Sequence, residues 1–226
     1  MSHATLAVIL PRGAVVPNRE SASPYIDSLM AQYDENLEVP EYAEACYCKG
    51  AEPGCDECHG TGTAMSTCNP KSKWDWWVVG GRWAGHWIPE YDTAKDNRNY
   101  EKCWMCHGTG KRNDAVVQGK CNVCECNVCD GSGIARNFHN AAFEGDVQTV
   151  SHVLGLLLQH EQAPETKGDP RTLAVLTPDG QWHEGGELGW WGMISGKKDA
   201  GDWGQEWKAL LEAHAEHIIV LVDYHI

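Results

Sequence analysis

Hydrophobic positions along this chain follow two periods. Thr5–Leu10 (TLAVIL) is a short apolar run stopped by Pro11, the pattern of a buried strand. Ser23-Pro24 offers a helix cap and a proline for the first turn, and Ile26, Leu29, Met30 and Tyr33 follow at helical spacing. Trp76–Val79 reads as a second strand, closed by Gly80-Gly81. Asp146 is placed to cap a helix whose apolar stripe is Val147, Val150, Leu154, Leu157 and Leu158. Thr172–Leu176 reads as a third strand, turned by Pro178-Asp179-Gly180 into a hairpin with Gln181–Glu184. Asp202 is placed to cap a last helix carrying Trp203, Trp207, Leu210 and Leu211, and Ile218–Val222 is a final apolar strand. Four or five strands with three helices predict an α+β fold, a mixed sheet covered by helices.

The stretch that breaks this pattern is rich in cysteine. The chain has 11 Cys and 11 Trp among 226 residues, against 2 Phe. The cysteines fall into Cys46-x-Cys48, Cys55-x-x-Cys58, Cys103-x-x-Cys106, Cys121-x-x-Cys124 and Cys126-x-x-Cys129, with Cys68 left over. A two-residue gap lets two thiolates face one cation, and two such knuckles supply the four-sulfur tetrahedron that zinc favours. An odd number of cysteines fits metal thiolates better than a disulfide framework. Three knuckles continue alike, as Cys55-Asp-Glu-Cys-His-Gly-Thr-Gly62, Cys103-Trp-Met-Cys-His-Gly-Thr-Gly110 and Cys126-Asn-Val-Cys-Asp-Gly-Ser-Gly133. Cys46, Cys48, Cys55 and Cys58 form one compact set. Cys103 and Cys106 take Cys126 and Cys129 as partners by the shared Gly-x-Gly continuation, with Cys121/Cys124 the alternative pair. Two zinc ions are expected. His59 and His107, one residue past their knuckles, are alternative ligands.

CxxCxGxG repeated three times resembles the cysteine-rich zinc domain of DnaJ chaperones, over residues 46–133. The resemblance implies zinc-binding hairpins; co-chaperone activity is not implied, since no His-Pro-Asp of a J-domain occurs. The stretches Asn69–Trp83 and Thr177–Glu184 are similar to bacteriophage proteins of DnaJ-like type. The expected organisation is an α+β core of residues 1–45, 69–100 and 134–226, with zinc-binding hairpins at 46–68 and 101–133.

Charge narrows the partners. The formal net charge is −14. Residues 46–133 hold ten basic and eleven acidic residues, so nearly all the acidity belongs to the α/β part. This balance speaks against phosphate backbones and anionic membranes, which are bound through Lys and Arg. No run is long enough for a membrane span, and the start lacks a basic leader, so a cytoplasmic protein is expected, in the host cytoplasm if it is phage-encoded.

Outside the cysteines, Trp74-Asp75-Trp76-Trp77 with Arg82-Trp83 and His86-Trp87 is the densest constellation, with Asp75 a candidate ion-pair partner of Arg82. An Arg beside indoles can clamp an anion while the rings stack a planar group. His183-Glu184 before Gly185-Gly186 and Trp190, and Asp223-Tyr224-His225 at the end of the last strand, are the other polar groups. Catalytic candidates are Arg82, His86, His183, Glu184 and His225. The ligand-binding expectation is that Trp76 or Trp77, Arg82, His183, Glu184 and Trp190 converge on one cleft. No phosphate loop, dinucleotide fingerprint, HExxH or GxSxG occurs. The leading reading is a zinc-stabilised binding protein, a phage accessory or anti-defence factor acting on a host protein or small anionic ligand. The alternative is an enzyme of unfamiliar type acting on a nucleotide-like anionic substrate.

Overall fold

The computed structural model describes residues 2–92, 94–112, 125–136, 143–165, 167–189 and 192–226. In chain order the elements are β1 (His3–Ile9), α1 (Arg19–Met30), β2 (Tyr42–Ala45), β3 (Thr63–Ser66), β4 (Trp76–Val79), β5 (Tyr100–Lys102) and β6 (Ile134–Arg136). A helical turn, Phe143–Asp146, leads into β7 (Val147–Thr149) and α2 (Val150–Gln162). The remainder is β8 (Ala174–Leu176), β9 (Trp182–Glu184), β10 (Glu187–Leu188), β11 (Ile194–Ser195), α3 (Ala200–Ala213) and β12 (Ile218–His225).

The main sheet runs β4-β12-β1-β8-β9, with β7 also on β12. β1 and β12 are antiparallel along their whole shared length, from His3 opposite His225 to Ile9 opposite Ile219. The other edge of β12 is divided: Val222–His225 pair with β4 and Ile218–Val220 with β7. Among the described strands of this sheet, only β1 and β8 run parallel. The sheet is thus mixed, as the sequence predicts.

Alternation along the two central strands sends side chains to two cores. Leu6, Val8, Val220, Val222 and Tyr224 pack with Ala22, Ile26 and Met30 of α1. Ala7, Ile9, Ile219 and Leu221 pack with Val150, Val153 and Leu157 of α2 and Trp203, Trp207 and Leu211 of α3. Helices therefore cover both faces, which is why TLAVIL and IIVLV are unbroken apolar runs instead of alternating ones.

Three helix starts differ from expectation. Asn18 caps α1 through a reciprocal pair with Ser21, so the helix begins ahead of Ser23 and takes Pro24 into its body. Thr149, not Asp146, caps α2; Asp146 Oδ1 accepts the Gly85 N–H, and Val147 joins β7 because the free edge of β12 offers it ladder partners. Leu158, assigned to the stripe, is exposed. Asp199 caps α3, with Asp202 in its first turn.

Four indoles that pack into the two cores also place their N–H on an acceptor. Trp74 donates to Met30 O, Trp87 to Pro170 O, Trp203 to Thr172 O and Trp207 to Thr172 Oγ1. Tyr33 closes the α1 side, donating to Gly180 O at 2.8 Å and accepting from Trp182 N. Trp207 is fully buried. Trp207→Ala is expected to lower unfolding stability by about 3–5 kcal/mol in urea titration, while Trp207→Phe loses less by keeping most of the volume.

Candidate metal centres

Each cysteine hairpin stands on a two-stranded stem. β2 and β3 pair from Tyr42 opposite Ser66 to Ala45 opposite Thr63, and β5 and β6 pair from Tyr100 opposite Arg136 to Lys102 opposite Ile134. The stem delivers the first cysteine directly. Cys46 N–H donates to Gly62 O at 3.0 Å, and Cys103 N–H to Gly133 O at 2.9 Å. In the second hairpin the exchange is reciprocal, since Cys126 N–H donates to Gly110 O at 2.8 Å.

The backbone after each second cysteine then doubles back. His59-Gly60, His107-Gly108 and Asp130-Gly131 all take positive φ, and so do Gly62, Gly110 and Gly133 two residues further on. Gly110 shows why the position excludes a side chain: a Cβ there would lie 2.1 Å from Gly131 O. The residue between the glycines has a task as well. Thr61, Thr109 and Ser132 each donate a hydroxyl hydrogen to the carbonyl of the second cysteine, at 2.6–2.7 Å. Cys46-x-Cys48 proves to be a shortened member of the same series, with Lys49 and Gly50 at φ 49° and 80°. The sequence hint was Lys-Gly after the second cysteine; its one-residue gap concealed the likeness.

Two buried groups of four sulfurs result: Cys46, Cys48, Cys55 and Cys58, and Cys103, Cys106, Cys126 and Cys129. Within each group all Sγ atoms lie within 4.8 Å of one another. Sγ separations are 3.6 Å for Cys46–Cys55, 3.3 Å for Cys48–Cys58, 3.8 Å for Cys103–Cys126 and 3.7 Å for Cys106–Cys129. A zinc–sulfur bond of about 2.3 Å in a tetrahedron sets sulfurs about 3.8 Å apart, so both groups suit one zinc ion each. Backbone N–H groups of Gly50, Gly110 and Gly133 donate to Cys48, Cys106 and Cys129 Sγ at 3.3–3.4 Å, the outer contacts that hold thiolate charge.

The thiols alone are in conflict. Cys55 is lowered to about 6, chiefly by the N–H of Cys58, whereas burial and then the neighbouring sulfurs push Cys129 up to about 11. A divalent cation relieves the crowding of negative charge. Four protein ligands close the coordination shell, so zinc bound here staples backbone and keeps no open position for a substrate. His59 and His107 serve the turn, not the sulfur groups. Cys68 is exposed and outside both, and Cys121 and Cys124 lie outside the described residues.

The remaining candidates are spread across the sheet. Arg82 follows β4, at one edge; His183 and Glu184 are on β9, at the other, with three strands between. They do not share a cleft. His183 Nδ1 meets Glu206 at 3.3 Å, and Glu184 takes Lys73 and the Trp182 indole, both at 2.9 Å. His86 contacts Arg171 O, and burial lowers its pKa. Trp77 packs toward the α1 core, Trp76 stays 42% exposed, and Trp190 lies outside the described residues. Asp75 pairs with His225, not with Arg82. The Gly80-Gly81 turn is dictated by carboxylates: a Cβ on Gly81 would lie 2.5 Å from Asp223 Cβ, and Arg82 N–H donates to Asp223 Oδ2 at 2.9 Å.

No family model matches the chain, and neither does any curated protein or solved structure.

Elemental analysis should give two zinc ions per chain. Cys126→Ser should leave one, and Cys68→Ala should keep both; one zinc in the Cys68 variant would contradict the grouping. A second expectation concerns His86. Its folded-state pKa is depressed, so its contribution to stability is complete above the unfolded value of about 6.5 and is lost as pH falls through the folded one. The drop in urea midpoint from pH 7.5 to pH 5 should therefore shrink in His86→Gln.

Proposed function

We propose that this protein is a zinc-stapled binding protein whose contact surface is carried by the two cysteine hairpins. One observation carries the reading. Three of the four described knuckles hold one large apolar residue out in solvent between the paired cysteines: Tyr47 is 73% exposed, Trp104 64% and Val128 37%, whereas the fourth carries Asp56 and Glu57. Exposed aromatic side chains cost solubility unless something covers them, and they are the residue types that dominate protein interfaces. Zinc fixes the backbone beneath each of them, so little conformational freedom is lost on binding.

The near-neutral charge of the hairpins suits a protein segment better than a nucleic-acid backbone. The DnaJ-type spacing of the repeats and the likeness of the flanking stretches to bacteriophage proteins support an accessory factor acting on a protein of the host cytoplasm.

The test is affinity capture from host lysate with the zinc-loaded full chain, followed by titration of the captured protein. The double variant Tyr47→Ala, Trp104→Ala should bind at least about 30-fold more weakly, the equivalent of one hot-spot residue, while retaining two zincs and the wild-type melting temperature. Undiminished affinity would remove the hairpins from the interface.

A further inference from the structure

A cavity of about 100 Å³ lies between the loop after β4, the helix α2 and the segment that leads into β8. Trp87, Ile88, Leu156 and Pro170 give it an apolar lining, and His86, Glu90 and Lys167 add polar groups. Its frame is fixed. The buried Trp87 indole donates to Pro170 O at 2.9 Å. The Lys167 main chain is tied at both ends: its N–H donates to Ala163 O at 3.0 Å, and its carbonyl accepts from His160 Nδ1 at 2.8 Å.

Three polar groups at this cavity are left open. His86 Nε2 lies 3.3 Å from Arg171 O, and because a carbonyl only accepts, Nε2 carries the hydrogen. Burial lowers the pKa of this ring, so near pH 7 it is neutral and Nδ1 keeps a bare lone pair. Nδ1 takes no hydrogen bond among the described residues, and unlike His225 Nε2 it is not sealed from solvent. Glu90 and Lys167 are exposed and opposite in charge, and neither has an ion pair among the described residues. The groove beside β9 is the contrast: there Glu184 and Glu206 are held by Lys73, Lys198 and His183.

The backbone singles out Glu90 as well. Its φ is 59°, in the left-handed region that glycine enters at least cost. The other described non-glycine residues with positive φ are Lys49, His59, His107 and Asp130, and all four belong to zinc knuckles. Outside the metal centres, then, the strained position among the described residues is a carboxylate at the lip of this cavity, and strain of this kind gathers at ligand sites.

We propose that the cavity binds a free α-amino acid with an apolar side chain of about four carbons. An apolar cavity of about 150 Å³ takes a six-carbon ring, so one of about 100 Å³ suits about four carbons. The side chain lies against Ile88, Leu156 and Pro170. The ammonium donates to His86 Nδ1 and pairs with Glu90, and the carboxylate meets Lys167. A ligand with a single charge leaves one of the two rim groups unanswered. The inference stands apart from the binding role of the hairpins, since the cavity uses no residue of either.

The experiment is calorimetric titration of the zinc-loaded full chain with L-leucine, 4-methylpentanoate, which lacks the ammonium, and 3-methylbutylamine, which lacks the carboxylate. One leucine should bind per chain, and each analogue should bind about 10-fold or more weakly than leucine. Glu90→Gln should weaken leucine about 5-fold or more and leave 4-methylpentanoate unchanged. Lys167→Gln should weaken leucine similarly and leave 3-methylbutylamine unchanged. Both side chains are exposed, so both variants should retain two zincs and the wild-type melting temperature. The double variant Tyr47→Ala, Trp104→Ala should bind leucine as the wild type does. No binding at leucine concentrations up to about 10 mM, equal affinity for leucine and both analogues, or wild-type leucine affinity in the Glu90 and Lys167 variants would overturn the proposal.

Discussion

Everything in the α/β part hangs on the antiparallel pairing of β1 with β12. Both strands are buried along most of their length, and each has a ladder partner on either edge. Among the described residues no other pair of strands shares so long a register. It fixes where α1 lies on one side and α2 and α3 on the other, because each helix seats on rows of side chains that only this pairing brings into line. It also sets His3 beside His225, which are separated by nearly the whole chain.

The hairpins obey a different constraint. Their stems are three or four residues long, and among the described residues their buried clusters are cysteine with a single alanine, Ala64 in one and Ala135 in the other. Hydrophobic burial on that scale does not hold a chain in place, and a run of positive φ angles opposes it further. Four thiolates around a divalent cation supply the missing free energy and make the strained turns obligatory. The large side chains inside the knuckles are thereby released from packing and stand free.

Much of this was legible in the sequence because it is local. Cysteine spacing and the Gly-x-Gly continuation are enough to select Cys126 and Cys129, and unbroken apolar runs locate β1 and β12. Helix starts were less legible. Asn18 with Ser21 outcompetes Ser23-Pro24 as a cap, and Val147 follows the vacant edge of β12 instead of its own helical spacing. The glycines at 80 and 81 read in sequence only as the close of a strand; they are small because Asp146 and Asp223 crowd them. The His3–Asp223 and His225–Asp75 pairs were illegible, since nothing in a strand's composition states its register with a partner two hundred residues away.

That separation sets a schedule for synthesis on the ribosome. The first hairpin closes within about two dozen residues and can capture its metal as soon as Ser66 has emerged, whereas β1 precedes its principal neighbour by about two hundred residues and finds it only after Ile218. Through most of elongation a bare apolar strand therefore waits, with α1 available to shield one of its faces. Pairings this distant in sequence form slowly, and a waiting strand is open to wrong partners. Until α3 and β12 are made, the nascent chain is a metal-bearing segment with an unfinished sheet.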